Sequence, residues 1–175
     1  MSTFITKRKG EKAVLNTDKI LATLQRACLG IPHVDPQVLF EYVIKHIYEG
    51  ITSRDIEALL ITSAETFIER SPEYGYVAAQ LFLTKIQKEV IGQSIKDKDV
   101  DQHYRQAFKD SIGKGIDAKI LDPRMGTTFD LDFLADCLEI GRDNLLDYMG
   151  IQVLYERYFT KVGEVRMELP QIFWM

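Results

Sequence analysis

Phe4 to Lys19, FITKRKGEKAVLNTDK, is the stretch on which the fold turns. Three cations, Lys7, Arg8 and Lys9, precede Gly10; a short apolar run, Ala13-Val14-Leu15, follows; then Asn16-Thr17-Asp18 opens a helical pattern. The order predicts a small β-hairpin feeding a helix. Lys9-Gly10 can supply the positive φ of a tight turn, and Asn16 or Thr17 can accept an orphan helix N–H. Cations and free backbone amides at one end suit a phosphate chain. The same basic hairpin also fits a solvated edge whose lysines discourage strand-to-strand association.

Outward from this stretch the chain repeats one helical grammar. Asp18 to Leu29 carries Ile20, Leu21, Leu24, Ala27 and Cys28 on one stripe and stops at Gly30-Ile31-Pro32. Asp35-Pro36, a cap followed by proline at the first helical position, starts a second helix with Val38, Leu39, Tyr42, Val43 and Ile47, closed by Glu49-Gly50. Thr52-Ser53-Arg54-Asp55 is a capping-box variant that opens a third, whose Ile56, Leu59, Leu60, Ser63, Ala64, Phe67 and Ile68 keep helical period. Ser71-Pro72-Glu73 begins a fourth, with Tyr74, Val77, Ala78, Leu81 and Phe82 on its apolar face, running to about Ile91 before Gly92.

The fourth helix contains a conflict. Its stripe, continued by three and four, brings Lys85 and Lys88 onto a face that should be buried, where an unpaired ammonium is costly. Either both snorkel to water or they meet an anion.

Composition narrows the class. The 175 residues are 46% apolar, enough for one ordinary core or two small ones. The 22 basic residues do not outnumber the 26 acidic ones, and the −4 balance argues against a nucleic-acid coat or a binder of anionic membranes while allowing a local basic pocket. Cys28 and Cys137 are far apart and each sits in an apolar helical pattern, so both are expected to be small buried thiols rather than a disulfide or metal pair. No signal-peptide core and no apolar run of about 18 residues is present, which makes the cytoplasm the expected location.

Taken together, Ile5-Thr-Lys-Arg-Lys-Gly10, Asn16-x-Asp-Lys-Ile20, Gly50-Ile51-Thr-Ser-x-Asp55-Ile56 and Tyr76-Val-Ala-Ala79 leading to Lys88 and Gly92 resemble the ATP-cone, the nucleotide-sensing module at the N-terminus of ribonucleotide reductase large subunits. The resemblance covers about Phe4 to Gly92 and implies a β-hairpin on a four-helix bundle that reads ATP against dATP, with Mg²⁺, to switch the reductase. By position it implies that Lys7 and Lys19 contact the triphosphate and that Ala13, Val14, Leu15, Asn16, Thr17 and Asp18 line the nucleotide. Ser53 stands where the family often has a Thr near the base or sugar, and Lys88 falls at the position of the family's phosphate-binding lysine in the last helix, so the resemblance implies those roles here. Ala13 stands where relatives can carry Glu, leaving a backbone contact there; Glu57 and Lys85 stand where some relatives have His.

Gln93 to Lys98 is polar and reads as a linker, dividing the chain into an expected cone, 1–92, and a helical segment, 93–175. Val100, Tyr104, Phe108 and Ile112 mark a helix ending near Gly113-Lys114-Gly115. His103 within it lacks a second ligand at metal spacing and is expected to be a surface or capping residue. Leu131, Leu134, Ala135 and Leu138 form another stripe. From Asp143 onward, with Tyr148, Gly150, Leu154, Arg157 and Tyr158, a turn at Gly163-Glu164 and Glu168-x-Pro170-Gln171, the sequence resembles the opening of the reductase domain in aerobic, di-iron-dependent large subunits. These residues are expected to be scaffold.

The expected architecture is therefore mainly α: an ATP-cone followed by the start of the reductase's helical N-terminal domain, ahead of the catalytic barrel. The resemblance implies a parent ribonucleoside-diphosphate reductase. It also implies no catalytic residue or catalytic cofactor in this span, since reducing a ribose hydroxyl requires a redox cysteine pair. The implied partners are the nucleotide effector, the small radical-generating subunit and other large subunits, with no nucleic acid and no membrane. The alternative is a stand-alone cone acting as a nucleotide-responsive regulator; in bacterial repressors that role goes with a zinc ribbon of paired cysteines, and such pairs are missing from this sequence.

Overall fold

The computed structural model describes residues 4–7, 10–92 and 100–175; Arg8, Lys9 and the expected linker at 93–98 lie outside the described residues. Two short strands, β1 (Phe4–Thr6) and β2 (Lys12–Val14), pair antiparallel with Phe4 opposite Val14, Ile5 opposite Ala13 and Thr6 opposite Lys12. The Gly10 N–H donates to the Lys7 carbonyl and the Lys7 N–H to the Glu11 carbonyl, both at 2.8 Å. Gly10 itself takes φ +82°, the left-handed geometry expected of the turn.

The outer edge of β1 is not left open. Thr6 N–H donates to the Ile51 carbonyl at 3.0 Å and Gly50 N–H to the Phe4 carbonyl at 2.9 Å, so the segment before the third helix runs alongside β1. The Glu49 carboxylate accepts the Phe4 N–H at 3.2–3.3 Å. Both sides of this strand are thereby paired, which removes an aggregation-prone edge.

Four helices follow: α1 (Thr17–Ala27), α2 (Pro36–His46), α3 (Ser53–Phe67) and α4 (Tyr74–Ile91). Each cap is the one its residues favour. Asn16 accepts the Lys19 N–H at 2.9 Å and Asp35 the Gln37 N–H at 2.8 Å. Thr52 and Asp55 close a reciprocal capping box. Ser71 hydrogen-bonds Glu73 ahead of α4. α2 packs on α1 and on α3, and Leu24, Leu39, Val43, Ala64, Val77 and Ala78 are fully buried among them. Tyr42, Phe67 and Tyr74 form an aromatic run with centroids 5.8 and 5.6 Å apart. Ile47 falls just outside α2 as its extended C-cap.

The compact units divide inside α4. Residues up to Phe82, with Asp147–Met149, form the first; Leu83–Leu146 and Gly150–Met175 form the second. The boundary expected at 92/93 lies farther along, at the end of α4. In the second unit α5 (Val100–Asp117) packs on α6 (Met125–Thr128) and α7 (Leu131–Asp136). A 3-10 turn (Ile140–Leu145) precedes α8 (Tyr148–Val153), whose first two residues belong to the first unit. A π turn (Leu154–Tyr158) continues it, then the hairpin β3 (Lys161–Val162) and β4 (Val165–Arg166), then α9 (Pro170–Trp174). Gly163 turns that hairpin at φ +62° and Pro170 opens α9, both as the sequence predicts.

Two expectations are corrected here. α5 runs through Gly113 and Gly115 instead of ending at them. Gly115 is buried, and a Cβ there would lie 2.6 Å from Leu121, so this glycine serves a close approach rather than a stop. Cys28 is buried as expected, but Cys137 is exposed. It caps the six-residue α7, too short for the apolar stripe to carry the thiol inward.

Candidate functional site

The first unit brings most of the sequence-predicted residues onto one hairpin and the two helices it touches. Lys7 follows β1 directly and is exposed, its ammonium 3.7 Å from the Glu11 carboxylate across the turn. Ala13 and Val14 lie in β2 and Leu15 leads out of it. Asn16 caps α1, and Thr17, Asp18 and Lys19 make its exposed first turn. Ser53, the first residue of α3, donates its hydroxyl to the Thr6 carbonyl at 3.4 Å, one residue before Lys7. The hairpin is thus joined by covalent continuity to the N-terminus of α1 and by hydrogen bonds to the start of α3.

Helix N-termini carry partial positive charge and unpaired amides. Two of them, of helices 11 and 15 residues long, therefore converge on strands flanked by Lys7, Lys12 and Lys19. Such an arrangement can hold a polyanion. A cleft of about 370 Å³ opens beside it, lined by Phe4, Ile5, Thr6, Lys12, Glu49 and Gly50, none of which the sequence reading selected. Among the described residues no group of three or more His, Cys, Asp or Glu side chains is placed to hold a metal ion, and none of the helices is long and apolar enough to cross a membrane.

Residues 3–89 match the family model described as the ATP cone domain. The first half of this chain is an ATP cone. Beyond the cone, similarity extends over nearly the whole chain. It is 38% identical over 172 residues, 98% of its length, to the ribonucleoside-diphosphate reductase subunit alpha of Chlamydia muridarum, and 37% identical over the same share to that of Chlamydia trachomatis. It is 28% identical over 178 residues to the subunit alpha of Enterobacteria phage T4. The chain spans 16% of the length of the two chlamydial relatives and 22% of the phage one.

Lys88 lies within the matched cone residues, in the last turn of α4, a portion of the helix that belongs to the second compact unit. It is half-buried, as is Lys85. The choice between water and an anion at Lys85 has a third answer: its ammonium sits 5.8 Å from the centroid of the Tyr155 ring, at the outer range of a cation–π contact.

Sequence reasoning missed two polar clusters in the second unit. Glu89, next to Lys88, accepts the Tyr155 hydroxyl at 2.7 Å and lies 3.7 Å from the Arg166 guanidinium. That guanidinium stacks 3.4 Å from the Tyr155 ring centroid while its Nε donates to the Tyr155 carbonyl at 2.6 Å. Burial, with the Glu89 hydrogen bond second, pushes the Tyr155 hydroxyl up to about 12. In the other cluster the fully buried Tyr104 donates to Asp143 at 2.7 Å and accepts the Gln171 N–H at 3.0 Å. Burial raises the Asp143 carboxyl to about 6 against the pull of the Tyr104 hydrogen bond and of the nearby Gln171 amide, whose N–H is itself bonded to the Tyr104 hydroxyl. One signal is present in the sequence: a tyrosine at a buried stripe position, as Tyr104 is, requires a partner for its hydroxyl.

Proposed function

We propose that this chain is the nucleotide-sensing N-terminal part of a ribonucleoside-diphosphate reductase large subunit. It binds ATP and dATP, and occupancy of the cone governs reduction of ribonucleotides to deoxyribonucleotides by the remainder of the enzyme. Lys7 and Lys19 neutralise the triphosphate, Ala13 to Asp18 line the nucleotide, Ser53 lies by the base or sugar, and Lys88 adds a phosphate contact. Mg²⁺ accompanies the nucleotide. In the whole enzyme the partners are the small radical-generating subunit and further large subunits, in the cytoplasm; this span catalyses nothing by itself.

The observation that supports this most is that the residues matching the ATP cone carry a basic hairpin tied to two helix N-termini. Isothermal titration of the 175-residue chain with MgATP and MgdATP tests it. Both nucleotides release or absorb heat with saturation, and Lys7→Ala and Lys88→Ala each weaken binding about tenfold or more, the worth of one charge-assisted hydrogen bond. Absence of saturable heat at millimolar nucleotide overturns the proposal. So does indifference to both substitutions.

A further inference from the structure

We infer that Glu89, Tyr155 and Arg166 form a latch through which nucleotide held at Lys88 fixes the π turn and the β3–β4 hairpin. The inference rests on the nucleotide reading given above, and it adds a regulatory connection within the second unit that this reading does not contain.

Three features carry it. First, the cluster joins segments remote in sequence through interlocking contacts of different kinds. Tyr155 donates its hydroxyl to Glu89, Arg166 stacks on the Tyr155 ring, Arg166 Nε donates to the Tyr155 carbonyl, and the Arg166 N–H reaches Glu89 at 3.5 Å. Releasing Glu89 takes two contacts from Arg166, its guanidinium at 3.7 Å and its N–H, and one from Tyr155 together, so the contacts form and fail as a set.

Second, the π turn makes the set possible. The Phe159 N–H bonds to the Leu154 carbonyl at 2.8 Å, one residue further back than in an α-helix, and the Thr160 N–H turns to the Glu168 carboxylate at 2.7 Å. Neither amide takes the Tyr155 carbonyl, which accepts from Arg166 instead. A π turn gives up regular backbone hydrogen bonding to place a side chain and recurs at functional positions for that reason.

Third, Glu89 and Lys88 are neighbours on the last turn of α4, which ends at Gly92 in the left-handed region. A helix end frays unless something holds it. A nucleotide anchored on Lys88 holds that turn and so holds the Glu89 carboxylate where Tyr155 and Arg166 meet it. Lys85, one turn earlier and facing the Tyr155 ring, keeps the same helical face turned to the latch.

Hydrogen exchange on the full chain, with and without MgATP, tests the latch. In the unsubstituted chain MgATP slows exchange of the β1–β2 amides by direct contact. It also slows the amides of Lys161–Arg166 by about fivefold or more, the low end of ordinary allosteric coupling. Tyr155→Phe removes one hydroxyl and Glu89→Gln one charge. Both variants keep the native circular dichroism and still bind MgATP, weakened by no more than the coupling factor, as linkage requires. In both, the slowing at β1–β2 remains and the slowing at Lys161–Arg166 vanishes. Persistence of that slowing in both variants, or its absence from the unsubstituted chain while β1–β2 responds, overturns the latch and leaves the nucleotide reading standing. Absence of any response together with absence of binding heat overturns both.

Discussion

Replacing Asp143 by Asn should convert a pH-dependent cost into a constant. The residue is only 2% exposed, and Oδ1 has no hydrogen-bond partner among the described residues while Oδ2 accepts from Tyr104. Its pKa rises from an unfolded value of 3.8 to about 6 in the fold. The native state therefore holds this proton more tightly than the unfolded chain does. Below the unfolded value both states are protonated and the side chain costs nothing in charge burial. As pH rises through the interval between the two values the unfolded chain ionises first, and stability falls until the folded carboxyl has ionised too. A tenfold difference in proton affinity between the two states is worth about 1.36 kcal/mol, so the loss accumulated by about pH 7 is roughly 3 kcal/mol. Asn keeps the shape and an oxygen for the Tyr104 hydroxyl but carries no charge. Urea unfolding followed through Trp174, the single tryptophan, which stands on α9 beside the Gln171 turn, reads the second unit directly. The variant should gain on the parent by roughly 3 kcal/mol between about pH 4 and pH 7. Parallel profiles would refute the reasoning, and a relative gain by the parent would show that Asp143 is held ionised rather than forced toward neutrality.

Further outcomes follow from the same structure. Gly113 and Gly115 lie in one helix but in different surroundings: nothing approaches a Cβ at Gly113, whereas one at Gly115 would lie 2.6 Å from Leu121 Cδ1 and 2.7 Å from Cγ. Gly113→Ala should therefore add about 0.5–1 kcal/mol to stability by helix propensity. Gly115→Ala should lose about 1–2 kcal/mol net, because overpacking outweighs that gain; thermal unfolding of the pair should shift in opposite directions. Thr52→Ala breaks the capping box at α3 and should cost about 1 kcal/mol in denaturant unfolding, with faster hydrogen exchange in the first turn of α3 and in the adjoining Thr6 amide.

What the sequence disclosed was local, and the reason lies in the range of the interactions involved. Asn16, Asp35 and the Thr52–Asp55 box act over two or three residues, so the residue types name their own partners and the helix starts follow from order alone. The hairpin follows from a turn glycine and alternating strands for the same reason. Ser53 shows where that legibility ends. Its type fits a helix start, but the bond to the Thr6 carbonyl depends on the 50–52 segment running beside β1, which no local pattern encodes. Gly115 misleads because glycine serves two needs, a stop and a close approach, and only the distance to Leu121 tells them apart.

The long-range polar clusters are hidden by a different ambiguity. Tyr104 and Tyr155 present an apolar ring to a periodicity count and a hydroxyl to their neighbours. The stripe therefore records Tyr104 as core, while Asp143, 39 residues away in sequence, looks like an ordinary surface charge. Glu89 suffers likewise, because its partners at Tyr155 and Arg166 are 66 and 77 residues distant. A buried carboxylate is tolerable only with donors in place, so each of these pairings constrains two segments at once and cannot be moved by one substitution without disturbing the other side. That mutual dependence ties the last turn of α4 to two remote segments through a single side chain, Glu89.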